Sequence, residues 1–264
     1  MTAPDDATST PWVDVDRALV EVAQARRLLV VCDFDGTLAP IVDDPSAAAP
    51  DASAITHLVQ LADLTGTTVA LVSGRSRAQL AALSGLGASG TEIRLVGSHG
   101  AEHTELEPET PTVVRDLIED VRGVVAPFAG VELEPKPYGV AVHVRRAEQP
   151  DAALDAVSAF VASKDLHVLH GKRVIELSVV HADKGDAFRR LLSESGADRA
   201  VIVGDDVTDE SAFTAARAVD VSVKVGAGKT AARLRVRDVA DVVALLQRLL
   251  EARTSWASSA HGPA

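Results

Sequence analysis

Two short apolar segments that end in aspartates constrain the fold of this chain more than any other feature. The first, LLVVCDFD, spans residues 28–35, and the second, RAVIVGDD, spans residues 199–206. A strand that is apolar along its whole length is typical of a parallel sheet covered by helices on both faces. Ligands of such sheets bind beside the carboxyl ends of the strands. Both acidic segments are therefore predicted to lie at the functional edge of one parallel sheet.

Helical patterns alternate with further apolar segments along most of the chain. The segments TVALVSG, IRLVGSHG and VDVSVKVG read as strands, whereas stretches such as KGDAFRRLLSESG have the spacing of helices. Short apolar strands separated by helices are typical of βαβ units. We therefore predict an α/β fold, a Rossmann-like parallel sheet with helices on both faces.

The middle of the chain has a different character. Residues 106–178 contain two helical runs and the segment VELEPKPYGVAVHVRRA, whose second half alternates as a half-exposed strand does. We predict that this segment forms an inserted small α+β domain with an open sheet, between two parts of a core at 13–105 and 179–253. The polar ends, 1–12 and 254–264, are predicted to be disordered.

Composition excludes several classes of protein. The net charge of this 264-residue chain is −12, which disfavours nucleic acid and anionic membranes as partners. An acidic protein that handles an anionic substrate needs a metal ion or a local basic cluster. No apolar run approaches the roughly 20 residues of a membrane span, and MTAPDDATST lacks the features of a signal peptide. Because the single cysteine, Cys32, suits a reducing compartment as a buried, inert thiol, we expect a cytoplasmic protein.

The first pair of acids has a chemical interpretation. Asp33 and Asp35 precede Gly36 and Thr37 in a turn after the strand. An ionised aspartate can attack phosphorus without a base to activate it, and Mg²⁺ offsets the repulsion between carboxylate and phosphate. The second acid can then protonate a leaving alkoxide and deprotonate the incoming water. Considered alone, the pair is explained equally well by an acidic turn or a structural cation loop.

Three further motifs favour the chemical interpretation. Ser73 ends another strand, where its hydroxyl and nearby amides can hold a phosphate oxygen at a helix start. Lys184 opposes a helix dipole, so it is either solvated or neutralises acids. Asp205, Asp206 and Asp209 end a further strand, where helix capping alone would explain them. All four motifs at one edge of one sheet are much harder to explain as structure alone.

The order DxDGT, Ser, Lys and GDDxTDE resembles the haloacid dehalogenase superfamily of aspartyl-phosphate phosphatases. Residues 36–72 are filled by one predicted helix and one strand, whereas 74–183 leave room for a domain, which is the superfamily's second cap position. The segments GSHGAEH, EPKPYGVAVHVR, GKRVIELSVVHADKG and GDDVTDESAF resemble the trehalose-6-phosphate phosphatase family over about residues 28–225. The resemblance implies a Mg²⁺-dependent hydrolase of trehalose 6-phosphate whose insert is a cap domain.

The resemblance also implies a role for each acidic residue. Asp33 is the nucleophile and a Mg²⁺ ligand, and Asp35 is the general acid/base that offers its backbone carbonyl to the metal. Asp205 is the carboxylate ligand from the second acidic segment. Asp206 and Asp209 hold metal-bound water or Lys184. The residues that cradle phosphate or balance charge are Ser73, Arg75 and Lys184.

The insert and its hinge are expected to bind the sugar, because charged donors and acceptors bind hydroxyls strongly when water is excluded. His143 and Arg145 alternate on one strand face, which a solvated sheet surface would also explain. Lys172 and Glu176 could equally be a surface turn and an ordinary ion pair. The candidate sugar-binding residues are His99, Glu102, Lys136, His143, Arg145, Lys172 and Glu176. The histidines not expected to take part are His103, His167, His170 and His181.

Three other functions remain open at this point. A related phosphatase could act on sucrose phosphate or mannosylglycerate phosphate, although KPYGVAVHVR and GKRVIEL argue against it. A phosphomutase would use the same aspartate, but its usual cap follows the first motif, where this chain has no space. A non-catalytic regulator would typically have lost Asp33 or Asp35, and both are present. We expect a monomer whose partner is a small sugar phosphate.

Overall fold

The chain divides into two units of different architecture. One unit comprises residues 1–97 and 184–264, and the other comprises residues 98–183. None of the helices in the described part of the chain is long and apolar enough to cross a bilayer. The computed structural model describes residues 9–86, 92–103, 110–171 and 173–260.

Strands and helices alternate in the first unit, as the sequence predicts. In chain order the described strands are β1 (Leu28–Cys32), β2 (Thr67–Val72), β3 (Arg94–Val96), β4 (Glu132–Lys136), β5 (Gly139–His143), β6 (His167–Gly171), β7 (Val174–Ser178), β8 (Arg199–Gly204), β9 (Val221–Val225) and β10 (Leu234–Val236). The α-helices are α1 (Trp12–Ala23), α2 (Ala52–Asp63), α3 (Arg77–Ser84), α4 (Thr110–Val125), α5 (Pro150–Val161), α6 (Lys184–Ser195), α7 (Glu210–Ala215) and α8 (Val239–Ala260).

The first unit is built on a six-stranded parallel sheet in the order β10–β9–β8–β1–β2–β3. Leu28, Val30 and Cys32 of the central strand pack against α1, α2 and α8. Leu29 and Val31 point to the opposite face, where α6 and α7 cover the sheet. Because both faces are buried, the central strands are apolar throughout, and the predicted α/β fold class is confirmed.

The second unit contains a four-stranded antiparallel sheet in the order β4–β5–β7–β6. Helices α4 and α5 pack on one face of this sheet against Val140, Val142 and Ile175. Alternate residues such as Ala141 and Glu176, which are direct neighbours across β5 and β7, lie on the other face. The alternation predicted from the sequence is therefore real, and it gives this sheet one apolar face and one face that carries charged side chains.

The boundaries of the insert differ from those predicted. Residues 98–103 and 179–183 belong to the insert in the structure, although both were predicted to be part of the core. A small apolar cluster explains the difference, because Ala101 and Ala182 pack together with Tyr138 of the insert. The segments on either side of the insert therefore pack against it and belong to the same unit.

The prediction of disorder at the ends of the chain is wrong for the residues that the structure describes there. The backbone N–H of Thr10 donates to the carbonyl of Arg235 at 2.9 Å, and α1 begins at Trp12. Helix α8 continues past Arg253 to Ala260 because Trp256 lies 4.4 Å from the Arg253 guanidinium and extends the packed surface. The predicted disorder at 1–8 and 261–264 lies outside the described residues.

Arg253 anchors this last helix to the sheet. Its side chain is fully buried, and its guanidinium donates to the carbonyls of Ala23 at 2.7 Å and Gly66 at 3.0 Å and to the hydroxyl of Thr67 at 3.1 Å. It also donates to the carbonyl of Ala25. Burial lowers the pKa of this guanidinium. One side chain therefore satisfies carbonyls at the end of α1 and in the turn before β2.

We predict that Arg253→Ala lowers the free energy of unfolding by about 2–4 kcal/mol, because several buried carbonyls lose a charged donor. Urea unfolding followed by circular dichroism measures the change. The matched control is Arg248→Ala on the same helix, where the guanidinium is exposed and pairs with Asp16 at 2.7 Å. That variant should lose about 1 kcal/mol or less. Equal losses in the two variants would contradict this account of Arg253.

Candidate active site

The turn after β1 and the end of β8 are held close together. The backbone N–H of Asp33 donates to the carbonyl of Val203 at 2.9 Å. Gly36 adopts a φ of +74°, and a Cβ atom at this position would lie 2.1 Å from Oδ2 of Asp205. The glycine of the DxDGT motif is therefore needed both for its left-handed backbone and for the close approach of the second acidic segment.

Lys184 connects the acids of the two segments. This first residue of α6 is 4% exposed, and its Nζ atom lies 2.9 Å from Oδ1 of Asp33 and 2.7 Å from Oδ1 of Asp209. The other oxygen of Asp209 accepts hydrogen bonds from the backbone N–H groups of Asp205 and Asp206 at 3.0 and 2.9 Å. Both oxygens of Asp209 are therefore occupied, and this residue fixes the position of Lys184 and of the turn after β8.

Burial and charge crowding act together on the acids. Burial raises the pKa of Asp33 well above its usual range, and Asp209 and Asp205 raise it further, while Lys184 acts in the opposite direction. Burial and the neighbouring Asp209 raise the pKa of Asp205 to about 6. Burial lowers the pKa of Lys184, but Asp209 and Asp33 outweigh this and raise it overall. For Asp33 and Asp205, burial and the crowding of carboxyl groups therefore outweigh the opposing charge of Lys184.

The arrangement fits a divalent cation. One oxygen from each of Asp33, Asp205 and Asp209 lies within 4.8 Å of the other two, which is the one such group among the described residues. Oδ1 of Asp205 is buried and has no hydrogen-bond partner in that part of the chain. Hard oxygen ligands and excess negative charge suit Mg²⁺, which retains waters and needs few protein ligands. Asp35 and Asp206 do not belong to this group.

Asp35 is bound by Arg75. Nε and Nη2 of Arg75 lie 2.7 and 2.6 Å from the two oxygens of Asp35. The backbone N–H of Arg75 donates to Oγ of Ser73 at 3.2 Å, and Ser73 is buried at the end of β2. Ser73 and Arg75 thus lie beside the turn after β1, as the sequence predicts. The guanidinium contacts the second acid of DxD, a contact the sequence analysis did not foresee.

The charged face of the insert's sheet gathers several predicted sugar-binding residues. Nζ of Lys136 lies 3.1 Å from Oε1 of Glu134, and Nε2 of His143 lies 2.9 Å from Oε2 of the same carboxylate. Nε2 of His99 lies 3.7 Å from Oε2 of Glu176. Two carboxylates on one sheet face are thereby linked to three potential cations, an arrangement rich in groups that can bind hydroxyls.

The remaining predicted residues of the insert are less central. Glu102 accepts a hydrogen bond from Oγ of Ser98 at 3.0 Å. Arg145 is exposed, two residues after the end of β5. Lys172 lies outside the described residues. The structure therefore brings together His99, Lys136 and Glu176, which line one cavity with Tyr138 and His167.

Thr37 follows Gly36 in the turn after β1, and its hydroxyl is buried without a partner in the described part of the chain. Sequence reasoning missed three other polar residues or their place in these sites. Lys224 is buried in β9, and its Nζ donates to the backbone carbonyl of Asp205. Glu134 precedes Lys136 by two positions, so strand alternation could have placed both on one face. His167, predicted not to take part, lines the cavity, and its buried Nε2 has no hydrogen-bond partner among the described residues.

Cys32 behaves as the sequence predicts. The thiol is fully buried in β1, and burial together with the charge of Asp33 raises its pKa to about 12. A thiol with so high a pKa is not a nucleophile at neutral pH. The thiol is therefore excluded as a nucleophile at this end of β1, which leaves the neighbouring carboxylates as candidates.

Comparisons with known proteins find similar sequences with a common description. The family model described as trehalose-phosphatase matches residues 31–240. A trehalose-6-phosphate phosphatase of Escherichia coli is 32% identical over 231 residues, which cover 83% of this chain and 85% of that protein. A bifunctional trehalose-6-phosphate synthase/phosphatase of Thermoproteus tenax is 34% identical over 90% of this chain, which spans 34% of that protein's length.

Solved structures share the fold. The C-terminal domain of the C. albicans trehalose-6-phosphate phosphatase superposes with a TM-score of 0.77 and covers 94% of this chain and 99% of its own, at 23% sequence identity. An identity this low carries the fold alone. Both units of the present chain therefore occur together in a known architecture.

The cation site gives a prediction that separates two adjacent acids. Asp205→Asn should weaken Mg²⁺ binding at least about tenfold, because even the loss of an outer partner of a metal ligand costs that much. Asp206→Asn, the matched control, removes a carboxylate one residue away that is not among the three clustered acids. Its affinity should stay within about threefold of wild type. Isothermal titration of the protein with MgCl₂ measures both, and equal losses would contradict the assignment.

Proposed function

The chain belongs to the trehalose-phosphatase family, and from that premise we propose that it hydrolyses trehalose 6-phosphate to trehalose and phosphate through a phosphoryl group carried on Asp33. The observation that carries the proposal is the buried Asp33–Lys184–Asp209 network beside Asp205. It supplies an oriented carboxylate, a fixed ammonium group from Lys184 and a set of oxygen ligands for a metal ion, all at the carboxyl ends of β1 and β8. A phosphoryl transfer needs these three components.

In the first half of the reaction, a carboxylate oxygen of Asp33 attacks phosphorus, and the bond between phosphorus and the sugar oxygen breaks. Asp35 gives a proton to the leaving alkoxide. In the second half, Asp35 takes a proton from water, whose oxygen attacks phosphorus, and Asp33 leaves as a carboxylate. Each acid thus returns to its starting state after one turnover.

The surrounding groups hold the phosphate during both halves. Lys184 keeps its positive charge next to Asp33, and the buried hydroxyl of Thr37 is available to donate to a phosphoryl oxygen. Ser73 offers a further hydroxyl. When Mg²⁺ is bound, held by Asp33 and Asp205 and by the carbonyl of Asp35, it supplies positive charge that offsets the repulsion between the nucleophile and the phosphate.

We propose that the charged face of the insert's sheet selects the sugar. Burial raises the pKa of Glu176, but hydrogen bonding and charge from His99, together with Lys136, outweigh this and lower it. Glu176 is therefore ionised at neutral pH and accepts hydrogen bonds from sugar hydroxyls. Since the chemistry at Asp33 involves only a phosphate and one carbon, discrimination between trehalose 6-phosphate and glucose 6-phosphate falls to groups that bind the second ring.

Simple measurements separate the proposed activity from the alternative functions. A panel of sugar phosphates assayed with and without Mg²⁺ separates this activity from a sucrose-phosphate or mannosylglycerate-phosphate phosphatase. Release of free phosphate separates it from a phosphomutase, and any turnover separates it from a non-catalytic regulator. The monomeric state and the cytoplasmic location stay predictions.

The test of the nucleophile is Asp33→Asn. Because an amide cannot attack as an anion, we expect phosphate release to fall by at least about 10⁴-fold, the order seen when a catalytic nucleophile is removed. Beryllofluoride, which stands in for the phosphoryl group, should bind wild type and not this variant. Thermal melting measures whether the fold is retained. Activity within about tenfold of wild type would end the proposal of covalent catalysis.

The test of sugar selection is Glu176→Ala. We expect kcat/KM for trehalose 6-phosphate to fall by about 10–10³-fold, since charged hydrogen bonds to the distal ring are lost. For an aryl phosphate, which has no second ring, the loss should be about threefold or less. Asp120→Ala serves as the control, because it removes an exposed carboxylate on α4, which packs on the opposite face of the sheet, where it pairs with Lys164 at 3.4 Å. An unchanged ratio of the two substrates in Glu176→Ala would move sugar selection elsewhere.

A further inference from the structure

We infer that Arg75 is a positioning residue, which holds the carboxylate of Asp35 in one orientation for proton transfer. The inference rests on the proposed function, because it concerns the acid that serves the leaving group and the water. The family resemblance implies that Arg75 cradles phosphate or balances charge. The observed contacts give its guanidinium a different partner.

The contact between Arg75 and Asp35 is bidentate. Nε and Nη2 of the guanidinium approach different oxygens of the carboxylate, at 2.7 and 2.6 Å. The Arg75 side chain is 12% exposed and the Asp35 side chain is 33% exposed. Two parallel charge-assisted hydrogen bonds fix a carboxylate in rotation as well as in position, which a single point charge cannot do.

The guanidinium is itself held in place. It lies 5.7 Å from the centroid of the Phe34 ring. Phe34 is fully buried and stands between the two acids of the motif in the sequence. The backbone N–H of Arg75 is tied to Ser73, and the next residue, Ser76, caps α3 by accepting a hydrogen bond from the N–H of Gln79 at 3.2 Å. Arg75 is therefore anchored on both sides.

The turn after β1 leaves the Asp35 side chain in need of such support. Hydrogen bonds hold the backbone of this turn, including the N–H of Gly36 to the carbonyl of Ala39 at 2.7 Å. They do not fix the side-chain torsions of Asp35. An acid that must serve two oxygen atoms in turn, the leaving alkoxide and the water, loses rate when it samples other rotamers. The bidentate contact supplies the missing constraint.

The two roles for Arg75 predict different kinetics. A phosphate ligand interacts with every substrate through the same group, so its loss should weaken binding of sugar and aryl esters alike. A residue that positions Asp35 matters most where the leaving group needs a proton. Sugar alkoxides need this help, whereas aryl oxides leave without it.

The experiment is a double-mutant cycle on Arg75→Met and Asp35→Asn with trehalose 6-phosphate and an aryl phosphate. In single-turnover measurements we expect Arg75→Met to slow formation of the phosphoenzyme from the sugar ester by about 10–100-fold, with the half-saturating concentration within about threefold, and to slow its formation from the aryl ester by about threefold or less. Hydrolysis of the phosphoenzyme, which also uses Asp35, is common to both esters and does not enter this comparison. In the Asp35→Asn background the same change should cost about threefold or less on the sugar ester, because the residue it positions is already lost.

Three controls keep the result interpretable. Arg77→Met removes the same charge from an exposed position in the first turn of α3 and should not reproduce the loss. Arg75→Lys, which offers a single ammonium, should give an intermediate rate of phosphoenzyme formation, and it replaces Arg75→Met in the cycle if that variant melts below the assay temperature. If wild type hydrolyses another sugar phosphate instead, the proposed substrate fails, and the same cycle on that ester still tests Arg75.

Two results would overturn the inference. One is an equal rise in KM for both esters with kcat retained, which would return Arg75 to the phosphate. The other is a full loss on the sugar ester when Arg75→Met is added to Asp35→Asn, which would show that Arg75 acts independently of this acid.

Discussion

The ammonium of Lys184 lies between two buried carboxylates, and the other features of the site depend on this contact. Without it, Asp33 and Asp209 would be uncompensated charges in the interior, a state that typically costs about 3–5 kcal/mol. With it, Asp209 can orient the amides of Asp205 and Asp206, and Asp33 is held at the end of β1. The same lysine thus stabilises the turn after β8 and orients the proposed nucleophile.

A division of labour between the two units follows from their sheets. The parallel sheet has no polar face, so its chemistry is confined to the strand ends, where backbone amides and short side chains converge. The antiparallel sheet of the insert has helices on one face only, which leaves alternate residues such as Glu134, Lys136 and Glu176 to form a charged surface. In the proposed reaction, phosphate chemistry and sugar recognition accordingly use different kinds of secondary structure.

Much of this could be read from the sequence. Apolar strands with acidic ends predicted the parallel sheet, and the positions of Asp33, Ser73, Lys184 and Asp205 at one edge followed from the rule for such sheets. The contact of Arg75 with Asp35 could not be predicted, because it joins turns that are distant in sequence. The burial of Arg253 against carbonyls from two segments, the end of α1 and the turn before β2, anchors helix α8 through a tertiary contact with no local signal.

Trapping the phosphoryl group tests the central claim most directly. Wild-type protein mixed with trehalose 6-phosphate and Mg²⁺ is quenched in acid on the millisecond scale, digested, and analysed by mass spectrometry for phosphorylated peptides. The account predicts a phosphoryl group on Asp33 that forms before free phosphate accumulates and disappears when substrate is exhausted. Phosphate released in the first turnover without any such adduct, or an adduct on a different carboxylate, would contradict it.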